Sequence, residues 1–344
     1  MTDANGPGRL EAARLAHGAS DYLTTGPTAR VAGAFRGASK AAGTRAPRLV
    51  CLIGMQRTGT SHLNKILSHV PEIESRSELF YPLRCMWMHP HEIEDFSRRV
   101  GKKLPCSCED RRQTIRMIRR RPDLVLDCLV DLMAPEKQIL TFKVFPGHLS
   151  VRQVTKAIIS RPDCVIIFVR RRPIDAYVSK LKARQVGQWA RVDTTEMKVE
   201  VDPRRFLRWN RRMSAWYRRL EGACWMMGKP FHRLTYEGDL AASPRAVSER
   251  FSAVLEASGL GPFTLPPDDA TIGLTRQDRN TDVRDKIANW GECHRYLAAK
   301  GSLDRAFDPI PEFQPTFWDR LLLRPTRNRE SGQGSGQWWG GRVF

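Results

Sequence analysis

The chain has 344 residues, 41% of them hydrophobic, and a formal net charge of +20 from 57 lysines and arginines against 37 acidic residues. That length admits one large α/β domain with insertions, and no run reaches the roughly 18 apolar residues that a membrane span requires. The charge surplus attracts anions of every kind, from nucleotides to acidic glycans, nucleic acid and the peripheral surface of an anionic membrane, and does not choose among them.

Residues 1–46 are rich in Ala, Gly and Arg and lack the basic-then-apolar pattern of a leader. They are expected to form a flexible arm with one helix near Leu10 to Leu15, and the expected compartment is the cytoplasm. A domain is expected over 47–324. Its first strand is the apolar run Arg48 to Ile53, followed by the loop Gly54-Met55-Gln56-Arg57-Thr58-Gly59 and a helix from Thr60. Strand, short glycine loop and helix make a phosphate cradle: the first N–H groups of the helix lack internal partners, and its dipole favours an anion. The spacing is G-x-x-x-x-G, but Thr60 stands where a nucleotide triphosphatase carries lysine, and the basic residue is Arg57, inside the loop. A strand–helix turn that happens to hold two glycines is the plainer reading. The hydroxyls of Thr58, Thr60 and Ser61 beside Arg57 favour the anion site.

Downstream, Cys106 and Cys108 form a close pair with Cys85, His89 and His91 upstream. No second well-spaced ligand pair follows, so thiols rather than a metal site are expected. The runs Ile139 to Val144, Cys164 to Val169 and Phe231 to Leu234 read as further strands, the third run of the chain buried on both faces like the first. Cys51 and Cys164 lie inside such runs and read as core. Arg170, Arg171 and Arg172 follow the Cys164 strand at its carboxyl end, where open α/β sheets place ligands. Pro173 opens a helix that carries Ser179 two turns in. Phe206, Trp209, Met213, Trp216 and Leu220 mark the buried face of another helix. Its other face carries Arg204, Arg205, Arg208, Arg211, Arg212, Arg218 and Arg219; a charge run of this kind is usually a solvated face, the alternative being a basic wall beside an anion site. Ser243-Pro244 opens a capped helix that Gly259 and Pro262 close. Residues 325–344 are rich in Gly, Ser, Gln and Arg and are expected to be a disordered tail. Strands alternating with helices predict an α/β class: a P-loop-like three-layer fold with a central parallel sheet flanked by helices.

The ordered pair of anion motifs resembles the sulfotransferase superfamily, over about Arg48 to Lys300. The loop Gly54 to Ser61 resembles its 5′-phosphosulfate loop, and Arg171 with Ser179 matches its 3′-phosphate-binding Arg and Ser. Lys182 to Trp189, KARQVGQW, is similar to bacterial carbohydrate sulfotransferases acting on trehalose glycolipids and lipo-chitooligosaccharides. Tyr236-Glu237, Gly259-Leu260 and Asn289-Trp290 match further family positions. The resemblance implies 3′-phosphoadenosine 5′-phosphosulfate (PAPS) as co-substrate, no metal, in-line sulfuryl transfer and a carbohydrate or glycolipid acceptor. It implies that Arg57, Thr58, Gly59, Thr60 and Ser61 hold the 5′-phosphate and sulfate, with Arg171 and Ser179 on the 3′-phosphate. Glu78 matches the approximate place of the general base of the carbohydrate-acting members; His148 is second choice, and Lys143 would assist the sulfate. Trp189 and Gln188 would either contact the acceptor or, for the tryptophan, belong to the core. Two positions depart from the small-molecule branch: Arg57 replaces its loop lysine, and Phe145 stands where its catalytic His follows the strand lysine. Two other readings compete. A P-loop kinase or hydrolase lacks its lysine here, and a basic nucleic-acid-binding protein lacks a recognisable module, so no nucleic-acid partner is expected.

Overall fold

The computed structural model describes residues 49–308 except 86, 107–110, 190–191 and 267–275. The N-terminal arm with its Leu10–Leu15 helix, the C-terminal tail and Cys108 lie outside the described residues. At the centre is a five-stranded sheet in the order β2-β3-β1-β4-β5, with β1 Leu49–Ile53, β2 Ile73–Arg76, β3 Ile139–Val144, β4 Cys164–Arg170 and β5 Phe231–Thr235. Every pairing is parallel. The chain is α/β, as the alternation of elements predicts.

The apolar run of β1 has no polar alternation because both its faces are covered. Leu49, Cys51 and Ile53 point to one cluster, Val50 and Leu52 to another. β4 divides likewise, with Cys164, Ile166 and Phe168 on the first side and Val165, Ile167 and Val169 on the second. The second layer is built by α1 (Thr60–Leu67) and α8 (Pro244–Glu256). The first holds α2 (Pro90–Arg99), α3 (Arg111–Arg120), α4 (Pro122–Asp131), α5 (Val151–Val154, continued by a π-turn over Thr155–Ile159), α6 (Pro173–Val186), α7 (Pro203–Met226) and α9 (Trp290–Ala299), followed by α10 (Leu303–Phe307). No helix among the described residues is long and apolar enough to cross a membrane.

Local chemistry sets the helix ends. Proline occupies the first turn of α6, α7 and α8, where its missing N–H costs nothing. The Asp202 carboxylate accepts from the N–H groups of Arg204 and Arg205 at 2.8 and 3.1 Å, and the Ser243 hydroxyl caps α8 through Ala246 N–H. α6 stops at Gly187, whose φ of 74° a side chain disfavours. On α7, Phe206, Trp209 and Leu220 are buried, with Met213 and Trp216 packed against the same cluster, as their spacing predicts. One strand escapes the sequence: β2 has the sequence IESR and buries only Ile73.

Candidate active site

The carboxyl ends of β1, β3 and β4 open into one crevice, and the β1–α1 loop divides it into two groups of side chains. The loop turns on Gly59 at φ 87° and on Arg57 at φ 74°, the one non-glycine residue with positive φ among those described. A Cβ on Gly59 would lie 2.6 Å from the Tyr236 ring. Glycine is therefore required twice over, by conformation and by contact. The Thr58 hydroxyl donates to Met55 O at 2.8 Å and is wholly buried, and Thr60 is buried beneath Gly54. Of the three hydroxyl residues expected to hold the anion, Thr58 has its hydroxyl engaged within the loop, Thr60 is buried and Ser61 is exposed.

On the β4 side, Arg57 Nε donates to Ser179 Oγ at 2.9 Å and Arg57 Nη1 to Trp189 O at 2.5 Å. Its Nη2 donates to Gln277 Oε1. Arg171 Nη1 donates to the carbonyl of Arg57 at 2.8 Å, and its guanidinium lies 4.1 Å from the Tyr236 ring centroid. Its Nε is buried without a hydrogen-bond partner among the described residues. Burial, with the Arg171 charge behind it, pushes Arg57 down to about 10. Arg170 ends β4, Arg171 and Arg172 lead into α6, and the three side chains diverge. Arg170 turns inward to the buried Glu221, Arg172 turns to Asp175 and Glu237 at 3.5 and 3.6 Å, and Arg171 alone joins Arg57. The guanidinium of Arg57 thus lies with the Arg171–Ser179 pair.

On the β3 side, Lys143 Nζ donates to Ser61 Oγ at 3.0 Å and stands 3.8 Å from Glu78 Oε1. His148 Nδ1 accepts from Phe145 N–H at 3.3 Å, which leaves the ring proton on Nε2. That nitrogen lies 3.4 Å from Glu78 Oε2, close enough for a charge contact but poorly aligned for a hydrogen bond. Lys143 and His148 are buried, at 1% and 2% exposure, while the Glu78 side chain keeps 27%. Burial pushes Lys143 down to about 8 against the opposing pull of Glu78. Burial raises Glu78, but His148 and Lys143 together outweigh it and leave the carboxyl below its usual range. Arg76, two residues before Glu78, pairs with Glu74 and Glu92. β2 sets this geometry, because Lys143 N–H donates to Ser77 O at 2.9 Å and so fixes Glu78 beside β3.

The family model of the sulfotransferase family matches residues 48–258, more than half of the chain. The chain belongs to the sulfotransferase family. It is a PAPS-dependent sulfotransferase, and its reaction is sulfuryl transfer from that donor. Among solved structures it is similar to sulfotransferase STF9 from Mycobacterium avium, at 12% identity over 81% of each chain with a TM-score of 0.39. It is also similar to retinol dehydratase in a complex with retinol and PAP, at 14% identity over 64% of this chain and 62% of that one, with a TM-score of 0.30. No curated protein matches the chain.

The residues present fit a doubly phosphorylated nucleotide. Two guanidiniums that among the described residues have no carboxylate partner suit a phosphate dianion, and the buried Arg171 Nε, without a hydrogen-bond partner among them, has the donor to give. The sequence missed two contacts. Arg57 meets Trp189 through a backbone carbonyl, which no side-chain motif encodes, and Gln277 lies 220 positions away. Trp189 is 47% exposed, which removes it from the core.

Proposed function

We propose that this sulfotransferase acts on a hydroxyl of a carbohydrate or glycolipid, with Glu78 as the base that takes the acceptor proton. The observation that carries the reading is the Ser61–Lys143–Glu78–His148 group at the N-terminus of α1. Of its members Glu78 alone combines partial exposure with a depressed carboxyl, so it meets the acceptor already ionised. Behind it, the buried His148 places Nε2 3.4 Å from one carboxylate oxygen. The bound donor supplies an activated sulfuryl group: the bond from acceptor oxygen to sulfur forms as the bond from sulfur to the bridging phosphate oxygen breaks. Lys143, Ser61 and the first N–H groups of α1 would stabilise the charge that gathers on the bridging oxygen. Arg57, Arg171 and Ser179 are assigned to the 3′-phosphate, with Arg57 close enough to the loop to reach the 5′ side as well.

The carbohydrate half of the reading rests on Trp189. Its exposed ring follows the end of α6, and its carbonyl is tied to Arg57. Such a ring offers an apolar face to the C–H side of a sugar. Trehalose, a chitooligosaccharide and a simple phenol should be compared as acceptors with wild type and Trp189→Ala. A sugar substrate whose KM rises about tenfold in the variant, with PAP affinity retained, is the expected result. Turnover of the phenol alone would overturn the carbohydrate assignment.

A further inference from the structure

On the flank of α6 turned away from Ser179, a cleft of about 260 Å3 runs between α6 and α7. Lys180 and Arg184 line it from α6, Arg208 and Arg212 from α7, with Tyr177 and Trp209 as its floor. Each helix contributes one stripe at three- and four-residue spacing. The floor is packed, the Tyr177 and Trp209 ring centroids lying 5.1 Å apart, and Lys180 Nζ sits 5.8 Å from the Trp209 centroid.

Some exposed arginines of this protein have an acid on a neighbouring turn: Arg98 and Arg99 pair with Asp95, Arg121 with Asp123 and Arg245 with Glu249. Among the described residues Lys180, Arg184, Arg208 and Arg212 form no ion pair with a carboxylate; a fifth cation of the lining, Arg205, is paired with Asp202 at 3.2 Å, and the charge of Asp202 also acts on Arg208. Burial, with Arg184 and Arg212 behind it, holds the Lys180 ammonium below its usual range. The four charges are thus gathered against their mutual repulsion around a hollow. Arg184 also lines a second cleft that continues along α6 past Gln185 to Lys198 and Ala288. α6 itself ends two residues before Gln188 and Trp189, so the charged groove and the transfer site lie on two flanks of one helix, roughly 10 Å thick.

We propose that this cleft is a binding site for the sulfate or carboxylate groups of an anionic glycan, holding one stretch of a long acceptor while another presents its hydroxyl to Glu78. The cleft is concave, which suits a chain and not a planar membrane surface. Trp209 is buried, so no open ring face is offered to a nucleic-acid base, the contact that single-strand binders depend on. The reaction makes sulfate esters, so a chain with several hydroxyls carries such groups after its first transfer. The identity of the chain as a glycan rests on the carbohydrate-acceptor reading above.

The test uses the full chain with saturating 3′-phosphoadenosine 5′-phosphate, so that the anion positions of the transfer site are filled. The probes are a sulfated dextran oligosaccharide, unsulfated dextran of the same length, and an oligothymidylate of matching charge. The wild type should bind the sulfated probe at least tenfold more tightly than either other probe. Arg208→Gln/Arg212→Gln should weaken that binding at least tenfold and flatten its salt dependence, with melting temperature and PAP affinity unchanged. Unchanged affinity in the variant would overturn the site, and oligothymidylate binding as tight as the sulfated probe would overturn the glycan assignment. Loss of the sulfated probe in the variant, together with no sulfation of any sugar by the wild type, would support the cleft while retiring the carbohydrate-acceptor reading.

Discussion

Among the described residues, the two guanidiniums on the β4 side of the loop, Arg57 and Arg171, have no carboxylate partner; on the β3 side an ammonium and an imidazole both lie against one carboxylate. The first group is unbalanced in charge and its partners are neutral, a serine hydroxyl, backbone carbonyls, a glutamine amide and a tyrosine ring. An incoming phosphate supplies the missing charge. The second is balanced, and its pKa values lie on either side of neutrality, Lys143 at about 8 and Glu78 below the usual carboxylate range. Surplus charge fits binding, and balanced charge with separated pKa values fits proton transfer. Gly59 joins the two halves, since Tyr236 packs against it and against Arg171.

The sharpest way to separate the halves is Glu78→Gln. Turnover should fall by about 10² to 10⁴ in single-turnover assays. Near-normal turnover would remove Glu78 as the base and break the comparison. Next is Lys143→Met, for which a loss of about 10²-fold is expected, the size seen when one preorganised donor is removed from a transition state. Lys143 acts charged and is pushed down to about 8, so wild-type kcat/KM should decline as pH rises above about 8, and the variant should lose that limb. Glu78 acts ionised, so the acid limb lies below the usual carboxylate range. A basic limb that survives in the variant would show that another group titrates. Smallest is Gly59→Ala. Its φ of 87° alone costs about 1–2 kcal/mol for a residue with a side chain, and the displaced Tyr236 should weaken nucleotide binding as well. Thermal melts with and without PAP measure both effects; an unchanged melt would mean that the loop does not need the glycine.

Much of this arrangement was legible in the sequence because it is local. The β1 run, the glycine spacing of the loop and the Arg171–Ser179 interval each sit within one strand–turn–helix unit, where apolar periodicity and turn chemistry report directly. The α7 stripe was legible for the same reason. What escaped is long-range or edge-bound. β2 is an edge strand with one buried residue, so it has no apolar run to announce it, yet it fixes Glu78 beside Lys143. The three consecutive arginines looked alike as a string, yet Arg170, the last residue of β4, pairs with the buried Glu221 while Arg171, just past the strand, reaches the carbonyl of Arg57. Composition does not say which way a hydroxyl points, and that of Thr58 turns back to the Met55 carbonyl.

One titration tests the division of labour most directly: PAP against wild type, Arg171→Ala and Glu78→Gln by calorimetry. The account predicts that Arg171→Ala weakens binding by about 10²-fold or more, as expected when a buried charge partner is removed, while Glu78→Gln keeps Kd within a few-fold of wild type. Tight binding by Arg171→Ala, or loss of binding by Glu78→Gln, would contradict it.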